Sequence, residues 1–168
     1  MFLSFIAIIV LLIILTFFWP PDSPWSPWWR TNKKTARAAC RLANVSNKDI
    51  VYELGSGDGE FILTAAGEFR AAKAIGIEID YTRFLISKLK MKSSKLKNVE
   101  FIRKDFKKVN LSDATVVYFY LVPKVIKRIL PKFKKELLPG TRIVSLRYEV
   151  QLPLKREDKK NQLFLYKI

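Results

Sequence analysis

A carboxylate and three alternating glycines stand where an α/β protein binds a ligand. Glu53 ends an apolar run, and Gly55, Gly57 and Gly59 follow it directly. Glycines at the end of a strand let the backbone approach a ligand closely. The spacing is G-x-G-x-G with Glu60 next, whereas dinucleotide folds use G-x-G-x-x-G and hold a pyrophosphate that these acids would repel. The motif indicates a ligand with an ammonium group and no phosphate, with a tight turn that binds nothing as the alternative.

Two further carboxylates follow apolar runs later in the chain. Glu78 lies 23 residues after Gly55, about where an acid meets ribose hydroxyls in this architecture, and Asp80 is a close alternative for the same role. Asp105 follows the next run and could accept a hydrogen bond from an adenine amino group. S-adenosylmethionine carries an amino group, a sulfonium, a ribose and an adenine but no phosphate, so it is the predicted cofactor. Solvated loop carboxylates are the alternative.

The elements that position these residues alternate along the chain. Strands are predicted at 50–54, 74–78, 99–103, 115–121, 141 to about 150 and 162–168, and helices at 33–44, 60–69, 82–92 and 124–137. This order predicts an α/β, Rossmann-like, mostly parallel sheet with helices on both faces. No helix separates the last two strands, which predicts an antiparallel C-terminal edge. Pro131 is expected to kink or break the last helix.

The N-terminal segment differs sharply from the rest. Residues 2–19 contain no charge, and eighteen helical residues span roughly 27 Å, close to a bilayer core. We predict a transmembrane anchor at 1–19, a Pro/Trp-rich linker at 20–32 and a catalytic domain at 33–168. A buried core helix and a cleaved signal peptide are the alternatives, but no basic residue precedes the apolar run. The basic residues after it predict a single-pass protein with its domain on the cytoplasmic side.

Composition limits the chemistry. The 168 residues include one cysteine and no histidine, which excludes an internal disulfide, histidine bases and histidine-based zinc sites, and no metal site is predicted. The net charge of +16 has three interpretations: a lysine-rich solvated surface, an anionic membrane surface or a nucleic-acid partner. The lysines are scattered over several segments, so nucleic acid ranks last.

These motifs resemble those of the class I methyltransferases, and more narrowly a family of small lysine N-methyltransferases. That family includes the membrane-anchored mitochondrial enzymes that modify ATP synthase subunit c and the adenine nucleotide translocase. The resemblance covers roughly 26–168 and rests on the glycine motif and on the stretches 117–123 and 139–145. The resemblance implies that the methionine end of the cofactor is held by Glu53, Gly55, Ser56, Gly57 and Gly59. It also implies that Glu78 binds the ribose and that Asp105 and Phe106 bind the adenine.

The sequence gives fewer indications of where the methyl acceptor binds. Tyr118 and Tyr120 alternate on one strand, so they share a face of the sheet, and we predict that both line the acceptor channel. Ordinary packing of the two tyrosines is the alternative. The family resemblance and the anchor together predict a lysine in a membrane-associated protein as the acceptor, with the enzyme a monomer. A lipid or small-molecule acceptor and a non-catalytic cofactor-binding module remain as alternatives.

Overall fold

The computed structural model describes residues 6, 8–11 and 29–168. Eleven helices and strands are defined within 29–168. The helices are α1 (Lys33–Leu42), α2 (Glu60–Gly67), α3 (Tyr81–Ser94) and α4 (Pro123–Glu136), and the strands are β1 (Ile50–Leu54), β2 (Lys73–Glu78), β3 (Val99–Arg103), β4 (Val116–Phe119), β5 (Arg142–Leu146), β6 (Leu154–Asp158) and β7 (Leu163–Lys167).

The strands form one sheet in the order β3-β2-β1-β4-β5-β7-β6. The first five strands pair in parallel, and β7 pairs antiparallel with both β5 and β6. The predicted fold class is confirmed in its Rossmann-like sheet and its antiparallel C-terminal edge. The order reverses between β1 and β4, and a crevice at such a reversal is where this kind of sheet binds ligands.

Each face of the sheet has its own apolar core because side chains alternate along every strand. On one face Val51 and Tyr118 pack with α1 and α2. On the other, Leu54 and Phe119 pack with Ile126 and Phe133 of α4. The predicted helices on both faces are confirmed. Apart from a short 3₁₀ turn, no helix separates β3 from β4, so α4 alone covers the second face among the described helices.

The C-terminal third departs from the sequence prediction. The strand expected to run from 141 to about 150 ends at Leu146, because Arg147 has a left-handed backbone (φ 69°) and Ser145 Oγ donates to Tyr148 O at 2.5 Å, forming a turn. β6 was not predicted, since its residues are charged and exposed, as is common at a sheet edge. Pro131 lies inside α4 without ending it.

The predicted anchor and most of the linker lie outside the described residues. Of the apolar segment 2–19, residue 6 and residues 8–11 are described, and they are helical. Within the described part of the chain, no helix combines the length and the hydropathy needed to cross a bilayer.

Candidate active site

A cavity of about 440 Å³ opens at the carboxyl ends of the parallel strands. The glycine loop forms its floor, the loops after β2 and β3 form one wall, and the end of β4 with the start of α4 forms the other. Seven of the eight predicted cofactor-binding residues line it: Glu53, Gly55, Ser56, Gly57, Glu78, Asp105 and Phe106. The sequence therefore predicted the location of the cavity, while the roles assigned to these residues stay predictions.

The loop between β1 and α2 is held by backbone hydrogen bonds. The N–H groups of Gly55 and Ser56 both donate to Ile77 O at 2.9 Å, which fastens the loop to β2. Gly55, Gly57 and Gly59 have positive φ angles of 75°, 52° and 80°, a region that favours glycine.

Gly59 is the predicted residue that does not line the cavity. It precedes the first turn of α2, and a Cβ there would lie 2.3 Å from the ring of Phe101. Glycine at this position lets α2 approach β3, while the predicted contact of Gly59 with the methionine end stays a prediction.

Glu53 is buried with one oxygen unused. Its Oε2 has no hydrogen-bond partner within the described residues, and neither has the hydroxyl of Ser56. Burial raises the pKa of Glu53 well above its usual range, and the carboxylates of Asp58 and Glu78 raise it further. Leaving a buried polar oxygen unpaired costs about 1–3 kcal/mol. Both residues line the cavity, so a donor that a ligand brings can satisfy these atoms.

Glu78 binds the backbone on both sides of the crevice. Its Oε2 accepts from Gly57 N at 2.7 Å, and its Oε1 accepts from the N–H groups of Ile79 and Asp80, each at 2.9 Å. Asp80, the alternative ribose ligand, instead caps α3 by accepting from Arg83 N at 2.8 Å and is absent from the cavity lining. The geometry favours Glu78 over Asp80.

Asp105 and Phe106 lie at the far end of the cavity, after β3. Asp105 accepts from the backbone N–H of Lys107 at 2.9 Å, and it forms an ion pair with the Lys107 ammonium at 3.5 Å. Phe106 packs partly against the α4 core. The predicted adenine contacts therefore lie together.

Three consecutive residues before α1, which we call the strap (residues 29–31), close the remaining side. The Trp29 ring lies 5.6 Å from the Tyr120 ring, Arg30 forms an ion pair with Asp58, and the Thr31 hydroxyl lies 2.9 Å from the Tyr118 hydroxyl. All three strap residues line the cavity. They belong to the segment 20–32 that was predicted as a linker, since its proline and tryptophan content favours a stiff, extended chain.

Tyr118 of β4 and Tyr120, which directly follows this strand, differ in position. Tyr120 lines the cavity, and its hydroxyl lies 3.2 Å from the Arg147 guanidinium, which also stacks over Trp29 at 4.7 Å. Tyr118 is fully buried beneath it, stacked on Phe61 with ring centroids 4.0 Å apart. Tyr118 shares a face with Tyr120 but lies one pleat deeper, where its hydroxyl supports the strap. The predicted role of the two tyrosines in the acceptor channel stays a prediction.

Comparison with known proteins identifies the family. The sequence model described as the ANTKMT methyltransferase domain matches residues 53–154, which span the glycine loop, both further carboxylates and β4. The chain belongs to this family. This methyltransferase is 39% identical over 129 residues to a protein-lysine N-methyltransferase of Saccharolobus islandicus, covering 76% of the chain and 80% of the relative.

A second curated relative matches a shorter part of the chain. The adenine nucleotide translocase lysine N-methyltransferase of Mus musculus is 34% identical over 99 residues. The match covers 58% of this methyltransferase and 43% of the mouse protein.

Solved structures agree on the fold. The RNA methyltransferase of Salinibacter ruber, in complex with S-adenosyl-L-homocysteine, has a TM-score of 0.80 and 31% identity, covering 83% of this chain and 94% of that one. A methyltransferase of Thiobacillus denitrificans, also bound to S-adenosyl-L-homocysteine, has a TM-score of 0.60 and 18% identity over 79% and 54% of the two chains, which is a likeness of fold alone. This chain is a class I methyltransferase that uses S-adenosylmethionine.

The residues at the cavity fit that cofactor. The unpaired oxygen of Glu53 and the unpaired hydroxyl of Ser56 suit an ammonium group, Glu78 retains lone pairs for hydroxyl groups, and Asp105 with Phe106 offers an acceptor and a flat apolar surface. When bound, the cofactor supplies a methyl group already activated on sulfur. The protein then has to orient the donor and an acceptor and exclude water.

Proposed function

We propose that this chain is a protein-lysine N-methyltransferase held on a membrane by its N-terminal segment, with a lysine of a membrane-associated protein as acceptor. The observation that carries the lysine acceptor is the similarity to two curated relatives, both named as lysine N-methyltransferases. The first of them matches over 76% of this chain and 80% of its own length.

The wall opposite the glycine loop suits a lysine side chain. Trp29, Tyr120, Leu121 and Val122 give this part of the cavity an aromatic and aliphatic surface. A lysine amine attacks only when neutral, and transfer from water to an apolar surface lowers its pKa. A chain without histidine therefore has a physical route to a neutral acceptor that needs no dedicated base.

The membrane part of the proposal rests on the apolar segment at the N-terminus. Ile6, Ile8, Ile9, Val10 and Leu11 are helical, and each is between 42% and 55% exposed. Such side chains are stable when lipid covers them. By the charges that follow the segment we place the domain on the cytoplasmic side, and we propose that it acts as a monomer.

RNA is a second candidate acceptor. It is favoured by the similarity to the Salinibacter ruber RNA methyltransferase, which is 31% identical to this chain, and by the net charge of +16. Against it, the sequence after β4 reads YLVP, where methyltransferases that act on base amino groups commonly carry an Asn/Asp-Pro-Pro-aromatic motif.

One experiment separates the candidates. The full chain, in detergent or nanodiscs, is incubated with methyl-labelled S-adenosylmethionine, host membranes and host RNA, and the label is split among protein, lipid and RNA. Label recovered as methyl-lysine after protein hydrolysis supports the proposal. Label in RNA or in lipid overturns the lysine acceptor while keeping the enzyme. If no label transfers while calorimetry shows cofactor binding, the non-catalytic module is favoured. A Glu78→Gln variant is the background control.

A further inference from the structure

Helix α3 turns its large apolar side chains toward solvent. Tyr81, Leu85 and Leu89 follow one another at intervals of four residues, so they form one stripe, and they are 52%, 42% and 66% exposed. The only fully buried residue of this 14-residue helix is Ser87. Phe84 and Met91 make its contacts with the domain core. The exposed stripe is thus additional to the surface that α3 needs for packing.

Lysines run beside this stripe. An open groove is lined by three leucines, one methionine and three lysines, namely Leu85, Leu89, Leu96, Met91, Lys88, Lys92 and Lys95. The sequence contains no acidic residue between Asp80 and Glu100. An apolar stripe flanked by long basic side chains is the pattern of helices that lie in the interface of an anionic bilayer, with leucines in the acyl region and lysines reaching the headgroups.

We propose that the exposed face of α3 docks on the surface of an anionic membrane. The inference rests on the membrane tether of the proposed function, because a tether raises the local concentration of the bilayer around the domain. A patch of a few leucines and lysines is then sufficient, although it would bind lipid weakly as a free domain. The charge of the flanking lysines selects anionic over zwitterionic lipid.

The position of the stripe relates it to the cavity. Ile79, which is 59% exposed, lines the cavity and lies two residues before Tyr81, where the stripe begins. Docking of α3 therefore holds one rim of the cavity against the headgroups. Acceptor lysines at the membrane surface come within reach, while lysines far from the bilayer do not.

The test places a fluorophore on the stripe. In the full chain reconstituted into nanodiscs, Leu89→Cys is labelled with a polarity-sensitive dye. Cys40 is buried, and burial raises the pKa of its thiol, so it stays unlabelled in the folded protein. The expected result is a blue-shifted emission in discs of phosphatidylglycerol, quenched by headgroup-level lipid quenchers, and a smaller shift in phosphatidylcholine. The matched control is Lys135→Cys on α4, on the other face of the sheet, which should not respond.

Removal of charge gives the second readout. Lys88→Gln, Lys92→Gln and Lys95→Gln together should weaken docking by about fivefold for each lysine in anionic discs. Methylation of a membrane-embedded acceptor should fall, while methylation of the same acceptor in detergent stays unchanged. Equal emission from residue 89 in anionic discs, zwitterionic discs and detergent would overturn the proposal. A shift that grows with protein concentration without lipid would assign the face to a second copy of the chain instead. If the protein without these substitutions does not methylate the acceptor in detergent, the result would count against the lysine acceptor and not against docking.

Discussion

The Glu78 carboxylate accepts a 2.7 Å hydrogen bond from the backbone N–H of Gly57, which joins the end of β2 to the glycine loop after β1. The same carboxylate holds two N–H groups at the start of the β2–α3 connection. One side chain thus joins the floor of the cavity to the wall formed by the loop after β2, and a change to it affects both.

Glu78→Gln should weaken cofactor binding by about 10- to 100-fold. The amide offers one acceptor oxygen for three N–H groups and turns its own N–H toward one of them, which costs about 1–3 kcal/mol. Isothermal titration calorimetry measures the affinity. Glu100→Gln, which removes a carboxylate from an exposed pair with Lys73, is the matched control and should bind normally. Equal cofactor affinities of the two variants would show that Glu78 does not contribute to cofactor binding.

Glu53→Gln should stabilise the cofactor-free protein. It should also abolish the rise in melting temperature that the cofactor causes. Because the folded-state pKa of Glu53 is raised, this group stabilises the fold below the ordinary pKa of a glutamate, and that contribution is lost as the pH rises. The variant should melt higher at neutral pH, by roughly 4 °C for each kcal/mol gained, and no higher near pH 4. Differential scanning fluorimetry across pH measures both. A lower melting temperature at neutral pH would contradict the raised pKa.

Cofactor binding should release protons at pH values between the ordinary pKa of a glutamate and the raised pKa of Glu53. An ammonium group beside Glu53 favours the ionised carboxylate, so the bound complex has a lower pKa at this site than the free protein. Titrations in buffers with different ionisation enthalpies should give different observed enthalpies, and Glu53→Gln should remove part of that dependence. A heat independent of buffer would mean that Glu53 does not meet the ammonium group.

Gly59→Ala should destabilise the domain by about 2–4 kcal/mol. The new methyl would lie within 2.3 Å of the Phe101 ring, and the backbone there has a φ of 80°. Gly67→Ala on α2 is the matched control, since its methyl meets Leu96 at an ordinary 3.5 Å. Chemical denaturation measures both. Equal stabilities would show that Phe101 moves aside at little cost.

Thr31→Val should cost about 1–3 kcal/mol because it leaves the buried Tyr118 hydroxyl without its partner. The double variant with Tyr118→Phe should recover part of that loss, with a coupling energy of about 1 kcal/mol. Additive effects in this cycle would mean that the two hydroxyls do not interact in solution.

The order of elements and most of the cavity were predictable because they follow from local patterns. Three apolar runs each end in an acid, and in a parallel sheet such ends share one edge, so Glu53, Glu78 and Asp105 were expected near one another. Period-two alternation also placed Tyr118 and Tyr120 on one face. It says nothing of depth, which depends on Phe61 and Thr31, contributed by other parts of the chain.

The unpredicted features depend on long-range contacts or on single backbone angles. Trp29, Arg30 and Thr31 contact partners that lie 28 or more residues away in the sequence. β5 ends early because Arg147 takes a left-handed conformation, although the residues after it are typical of a strand. β6 is recognised only once β7 pairs with it, since its own side chains are polar and exposed.

The unpartnered oxygen of Glu53 also bears on the lifetime of the protein in a cell. A ligand that binds only the native state, at about a hundred times its dissociation constant, adds about 2.7 kcal/mol to stability. Proteases act on the unfolded fraction, which such a change reduces by roughly a hundredfold. We therefore expect the abundance of this enzyme to follow the supply of its methyl donor. In cells depleted of S-adenosylmethionine, the protein level should fall faster than the level of its transcript.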